Sequence, residues 1–320
     1  MLTIQQILGH LPNVAISYRN ADGIARRLFN RVPVSLRGGT FTIFDKETAF
    51  RRETGKMARL AKPKSITEDE KTGDYACKDW GLKQEVPFGI QTLTPFQVNR
   101  VNRAVQTLQG KLDMDVEADA AAMVASFTHD AVVTSWKDDA SDPVKDMKTL
   151  RQKVLMGANI AVLGRRVVDR LQYHPKVLAL RGNATPGSLT LAQLAEIFEV
   201  KEILVPEMKG ITTPKGRPAV YDYVWGDEVF LGYRAPQDEL SEADATFGAI
   251  FELEGAELYN SEGPKTVSQV YAANDRGRLV RLWEDPEIGN SGGTVIALGA
   301  AYDMKKVGAD LGRGLSGVLA

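Results

Sequence analysis

The apolar and polar positions of this chain change rhythm several times, and each change predicts an element. Leu2, Ile4, Ile7, Leu8 and Leu11 make a short amphipathic turn that Pro12 ends. Ile24, Leu28 and Phe29 predict a second short helix, after which Pro33 and Gly38-Gly39 break the pattern. Thr40 to Phe44 is a strand signal, because aromatic and β-branched residues cluster there. Charged residues then dominate from Asp45 to Asp79, and apolar anchors resume at Tyr75, Trp80, Leu82 and Val86. This reads as a two-stranded excursion, out along 40–60, turning near Lys62-Pro63-Lys64 and returning along 74–86. A bare hairpin is marginal in water. One this charged is expected to be either a mobile loop or an element braced by another subunit. The leading forty residues carry large apolar side chains with little room for a core of their own, so they are expected to pack on something else.

Thr94-Pro95 is a helix start, with a capping side chain and proline in the first turn. Val98, Val101, Val105, Leu108 and Leu112 follow at spacings of three and four. The stripe runs on through Val116 to Met123-Val124, with Gly110 its weak point. Beyond this long helix the pattern is mixed. A helix is predicted from Asp142-Pro143 through Met156, a short buried strand at Ile160–Leu163, a helix from Arg165 to Tyr173 stopped by His174-Pro175, and a helix from Leu189 to Phe198. Glu202 to Val205 reads as a strand. Tyr221–Trp225 and Val229–Tyr233 read as a strand pair around Gly226-Asp227. Strands at 247–253, 268–273, 278–283 and 294–303 complete a sheet.

Composition narrows the function. Hydrophobic residues at 43% and charged residues at 25% over 320 positions are ordinary globular values. With 40 basic against 41 acidic residues there is no basic excess of the kind that grips nucleic-acid phosphates. Cys77 is the one cysteine, so no intrachain disulfide and no cysteine-based zinc site can form. The start of the chain lacks a secretion-signal pattern and no run reaches the ~20 apolar residues of a membrane helix. The expectation is a protein that is soluble and cytoplasmic when made, with no membrane partner.

No strong catalytic motif appears: no phosphate-binding loop, no nucleophile elbow, no His-Glu-x-x-His. His10, His129 and His174 are scattered, and His174 is expected at a helix end, facing the last carbonyls. Gly289-Asn290-Ser291-Gly292-Gly293 precedes a strand and is read as a hairpin turn. Asp113, Asp115, Glu117 and Asp119 alternate along a helix, so they face different directions and are read as a solvated acidic face, not a metal site. Asn183-Ala184-Thr185 has the glycosylation pattern, which a cytoplasmic protein does not use. Catalytic, cofactor-binding and metal residues are all expected to be none.

Three stretches resemble the major capsid proteins of tailed bacteriophages. They are 13–20 with 28–34 and 39–46; Ile160–Gly164 with His174–Leu178, 189–198 and Val200–Val205; and Val224-Trp225-Gly226-Asp227 leading into Phe230–Pro236. Arg59-Leu60-Ala61-Lys62-Pro63 is only similar to the family's turn after the first hairpin strand. The resemblance implies an α+β fold of the Hong Kong 97 type. Its parts would be an N-terminal arm at 1–38, an extended E-loop at 39–86, a P-domain at 87–156 with its spine helix at 94–125, an A-domain at 157–243, and a P-domain return with the remaining sheet at 244–320. It implies a structural protein that self-assembles into hexamers and pentamers of an icosahedral head enclosing double-stranded DNA. A separate scaffolding protein, a portal, a decoration protein where one exists and weak contact with packaged DNA are the implied partners. The location would be the virion capsid, after assembly in the host cytoplasm. Some members crosslink a hairpin lysine to a neighbour's asparagine, which Lys62 and Lys64 would allow. Two rival readings stand: an encapsulin-like nanocompartment shell, and an α/β enzyme using Asp227, Glu228 and Arg234 near Tyr233.

Overall fold

The computed structural model describes residues 20–52, 54, 56–57, 59, 61–62, 64–66, 70–88, 100–180, 188–240, 244–254, 269–273 and 278–320. In chain order the first elements are α1 (Ala25–Leu28), β1 (Asn30–Val34), β2 (Gly38–Phe44), α2 (Lys46–Phe50), β3 (Glu70–Ala76), β4 (Lys78–Pro87), α3 (Arg100–Ala125) and β5 (His129–Ala131). The middle of the chain supplies α4 (Pro143–Lys153), β6 (Ile160–Leu163), α5 (Arg165–Leu171), α6 (Pro175–Ala179), α7 (Leu191–Phe198) and β7 (Glu202–Leu204). Then come β8 (Lys209–Ile211), β9 (Tyr221–Tyr223), β10 (Val229–Gly232), β11 (Gly248–Leu253), β12 (Gln269–Ala273), β13 (Arg278–Asp285), β14 (Gly293–Lys306) and β15 (Gly312–Ser316).

Two sheets carry the body. One has the order β5-β15-β10-β6-β7, and its central strands β6 and β10 are buried at every position, which is why they read as unbroken apolar runs. Helices α4, α5 and α7 cover it through Met147, Leu150, Val167, Leu171, Leu194 and Phe198. The Thr190/Gln193 capping box starts α7. The other sheet has the order β1-β11-β14-β13-β12, with β4 also paired to β14. Helix α3 lies on it, seating Leu108 and Leu112 against Val280, Leu282, Ile296 and Leu298. At ~1.5 Å per residue its 26 residues span about 39 Å. The predicted helix start at Thr94-Pro95 lies outside the described residues.

Several expectations need correction. The hairpin's return strand is not one piece. Glu70–Ala76 pairs with β2, from Gly38↔Ala76 to Phe44↔Glu70, and after Cys77 the chain crosses onto β14, pairing Lys78↔Tyr302 through Pro87↔Gly293. Alternation alone does not reveal this change of partner, because both halves alternate. Tyr221–Trp225 and Val229–Tyr233 do not pair with each other. β9 pairs with β8, whereas β10, fully buried, sits between β6 and β15. A four-residue apolar strand needs cover on both faces, and a two-residue turn to a half-exposed strand does not supply it. His174-Pro175 ends one helix and also opens α6, with His174 in the N-cap position. The segment 286–292 does turn β13 into β14, with Gly289 and Gly292 at φ 61 and 76, a region open to glycine. The strands His129–Ala131 and Gly312–Ser316 hydrogen-bond into the sheet of β6 and β10.

Candidate assembly surfaces

The solvated acidic face expected on α3 fails at Glu117, which is 2% exposed. One carboxylate oxygen accepts the backbone N–H of Ala25 at 2.5 Å and the other accepts the Trp225 indole N–H at 2.6 Å. Burial pushes the pKa of Glu117 up. The donors at Ala25, Trp225 and Ile24 pull it back in part, and Asp113 adds to the rise. Gly23 lets the chain pass this close, since a Cβ there would stand 2.3 Å from the carboxylate oxygen. Asp119 is also engaged, accepting the Tyr302 hydroxyl at 2.8 Å. One signal in the sequence pointed here: Glu117 stands seven residues before Val124, on the buried stripe.

Glu117 thereby fastens the start of α1 to α3, and the arm root continues inward from there. Ile24, Leu28 and Phe29 join a core with Phe127, Phe230 and Phe247. Phe29 meets Phe247 with ring centroids 5.1 Å apart. Strand β1 runs parallel to β11. Beside it the buried Glu252 receives Arg26 at 3.0 Å and Arg31 at 2.8 Å, and Arg31 reaches Glu239 at 2.9 Å and also pairs with Glu254. Asn30, fully buried, donates to the carbonyls of Ala235 and Gln237. The arm root therefore finds its core on its own body, contrary to the expectation of an arm that must pack elsewhere. Residues 1–19, which carry the rest of that expectation, lie outside the described residues.

The hairpin behaves differently. Its base is tied down: Phe41 and Tyr75 pack on Phe251 with centroids at 5.1 and 4.8 Å, and Asp303 accepts the Ala76 N–H at 2.8 Å. Lys46 pairs with Asp310. Beyond the base, β2 alternates between exposed and half-buried with no covered face. Phe44, Phe50, Met57 and Ile66 are each more than half exposed, at 54, 61, 57 and 55%. Burial of one such side chain is worth roughly 1.5–3 kcal/mol, so leaving four in water marks an unfinished surface.

The remaining chemistry-bearing residues are absorbed structurally. His129 bonds Glu228 at 2.6 Å and the Phe127 carbonyl at 2.8 Å, with Gly314 beneath its ring. Burial pushes the Glu228 carboxyl up, against the pull of His129. His174, instead of facing helix carbonyls, is buried and sits 3.1 Å from the Ser141 hydroxyl and 3.2 Å from the Asp138 carbonyl. The residues of the enzyme reading disperse: Asp227 pairs with Arg166, Glu228 with His129, and Arg234 with Asp238. Cys77 is buried at the crossing from β3 to β4, and desolvation lifts its thiol to about 11, which leaves little thiolate at neutral pH. Among the described residues no three His, Cys, Asp or Glu side chains are placed to hold a metal ion. Among them, too, no helix is long and apolar enough to cross a membrane. His10 and Asn183-Ala184-Thr185 lie outside the described residues.

No family model matches the chain. The major capsid protein of Pseudomonas phage JBD67 is 26% identical over 313 residues, 94% of each chain, and that of Burkholderia phage BcepMu is 26% identical over 234 residues, 70% of this chain and 75% of the relative. Among solved structures, a phage-related protein of Bordetella bronchiseptica superposes with a TM-score of 0.68 at 23% identity, covering 94% of this chain and 93% of its own. The capsid of cyanophage P-SCSP1u superposes at 0.58 with 8% identity, over 95 and 90% of the two chains. By sequence and by fold the chain resembles phage capsid proteins. The capsid fold also includes the SrpI encapsulin of Synechococcus elongatus, with a TM-score of 0.55 and 9% identity over 98 and 95% of the chains. In this chain the hairpin is left open to solvent, and the closed arm root holds the body that carries it.

Proposed function

We propose that this chain is a capsid subunit that assembles into hexamers and pentamers of an icosahedral phage head enclosing double-stranded DNA. The carrying observation is the hairpin, where Phe44, Phe50, Met57 and Ile66 are each more than half exposed and β2 has no covered face. Only a partner can cover them, and a heterologous contact that closes into rings covers one hairpin per subunit. In this reading 39–86 is the E-loop, α3 is the spine helix of the P-domain at 87–156, 157–243 is the A-domain, and 244–320 returns through the P-domain. The pairing of β5 with β15, and of β15 with β10, draws 129–131 and 312–316 to the A-domain sheet. The arm proper is then 1–19, with 20–38 its root.

Near-neutral net charge supports weak, salt-sensitive contact with packaged DNA, since a strongly basic wall would hold it. The resemblance to phage heads supports a separate scaffolding protein, a portal and, where present, a decoration protein as partners, with assembly in the host cytoplasm before the virion is complete. A nanocompartment shell is the second reading, favoured by the encapsulin likeness in fold, but the relatives found by sequence are phage proteins. Sedimentation and negative-stain microscopy of the purified protein, expressed with and without the neighbouring phage genes, test the proposal. Closed megadalton particles support it. A species that stays at 35.0 kDa under every condition contradicts it.

A further inference from the structure

Helix α3 hands the chain to the sheet of β6 and β10 through a short joint. It ends at Ala125, and His129 then opens β5, a three-residue edge strand whose partner among the described residues is β15. Backbone bonds from Gly314 to Thr128 at 3.0 Å and from Val132 to Ser316 at 3.1 Å flank that pairing. A parallel pairing this short holds little by itself. The His129 side chain adds a second tie by reaching Glu228, the residue before β10, two strands further in.

Two contacts of the His129 ring fix where its protons are. Nδ1 lies 2.8 Å from the Phe127 carbonyl, an oxygen that only accepts, so Nδ1 carries a hydrogen. Nε2 lies 2.6 Å from the Glu228 carboxyl, and that contact is a bond only while one proton sits on it, on the ring or on the carboxyl. A neutral imidazole beside an ionised carboxylate has one N–H for two oxygens and turns a lone pair toward the other. The ring has little room to swing away, since it lies against the backbone of Gly314, where a Cβ would stand 2.2 Å from Nε2. The other charges around the joint are engaged elsewhere. Lys306 lies over the Phe127 ring and donates to the Ser126 carbonyl, Asp130 holds Lys153 and Arg313, and Asp227 holds Arg166.

We propose that His129 and Glu228 form a proton-dependent latch that ties the exit of α3 to the sheet of β6 and β10 and loosens as pH rises. Both side chains are 17% exposed, so the contact is largely shielded yet still reached by water. Burial lifts the Glu228 carboxyl above its ordinary 4.5 against the pull of His129, so the native carboxyl holds its proton longer than the unfolded one. The stabilisation it gives is therefore lost as pH rises through the folded value. Once the proton has left, β5 is held by its backbone bonds alone. The latch acts within one subunit and does not depend on the shell-building reading.

Hydrogen exchange of the unassembled subunit, corrected for the intrinsic pH dependence of exchange, tests it. In the wild type the amides of Val132 and Gly314 should lose protection between about pH 5 and pH 8, by up to about tenfold per pH unit, the most that one proton contributes. Amides of the buried strand β6 serve as the reference and should not follow. In His129→Gln the side-chain amide donates to the carboxylate at every pH, and in Glu228→Gln the amide donates to the neutral ring. Both variants should therefore lose the pH dependence at Val132 and Gly314. Nitrogen NMR of the histidines in the wild type needs no variant, and Nδ1 of His129 should carry a hydrogen throughout. Wild-type protection that ignores pH, a pH dependence kept in either variant, or an Nδ1 without hydrogen overturns the latch. None of these results bears on whether the chain builds a shell.

Discussion

The arm root and the hairpin follow one another in sequence, and they solve the problem of burial in opposite ways. From Ile24 to Val34 every large apolar group is at least partly covered, and the two buried carboxylates beside it have partners in the same chain: Glu117 in Ala25 and Trp225, Glu252 in Arg26 and Arg31. Along the hairpin Phe44, Phe50, Met57 and Ile66 face water, and from 44 to 66 the cations outnumber the acids. On the proposed reading, stability and assembly are assigned to separate stretches. Substitution in the first should unfold the subunit, and substitution in the second should leave it folded but alone.

Phe230→Ala gives the largest expected effect. The ring is fully buried between Phe127 and Phe247, and its loss should cost about 3–5 kcal/mol in denaturant unfolding of the unassembled subunit. Phe50→Ala should change that same unfolding by less than about 0.5 kcal/mol and yet raise the protein concentration at which particles form. A Phe50 variant that unfolds as readily as the Phe230 variant would erase the distinction.

Glu117→Gln comes next, at about 1–3 kcal/mol, because an amide oxygen can accept one N–H while its NH₂ confronts the other. Its pH dependence has a defined sign. The folded-state pKa of Glu117 lies above its ordinary 4.5, so the native carboxyl holds its proton longer than the unfolded one. The wild type's advantage from this group is complete below pH 4.5 and declines as pH rises through the folded value. The gap in melting temperature between Glu117→Gln and wild type should therefore narrow on going from acid to neutral pH. A gap that widens contradicts the assignment.

How far the sequence foretold this structure depended on whether a residue's role was local. The strand at Ile160–Leu163, the long helix and the four late strands were readable because period and turn chemistry state them directly. The exposed hairpin was readable for the same reason, through its charge and missing anchors. The change of partner at Cys77 was not, because pairing is a property of distant strands. Glu117 was misread since three other acids surround it, and only its phase with Val124 betrayed burial. The arm root was misjudged because its core lies more than ninety residues away, on α3, β10 and β11.

Two glycines give the smaller effects. Gly314→Ala would set a Cβ 2.2 Å from the His129 ring, and the displaced ring should cost about 1–3 kcal/mol. Gly110→Ala meets nothing within 4 Å on the exposed side of α3, and thermal unfolding should show stabilisation by about 0.5–1 kcal/mol. Destabilisation at Gly110 would mean that this helix face is more crowded than the structure shows.

Trypsin reports most directly on the hairpin's dependence on a second copy. In unassembled subunits cleavage should fall first at Arg51, Arg52, Lys56 and Arg59, leaving the body from α3 onward intact. In assembled particles, digested under the same conditions, those bonds should survive. A lone 35.0 kDa subunit that resists trypsin at all four positions would contradict the account.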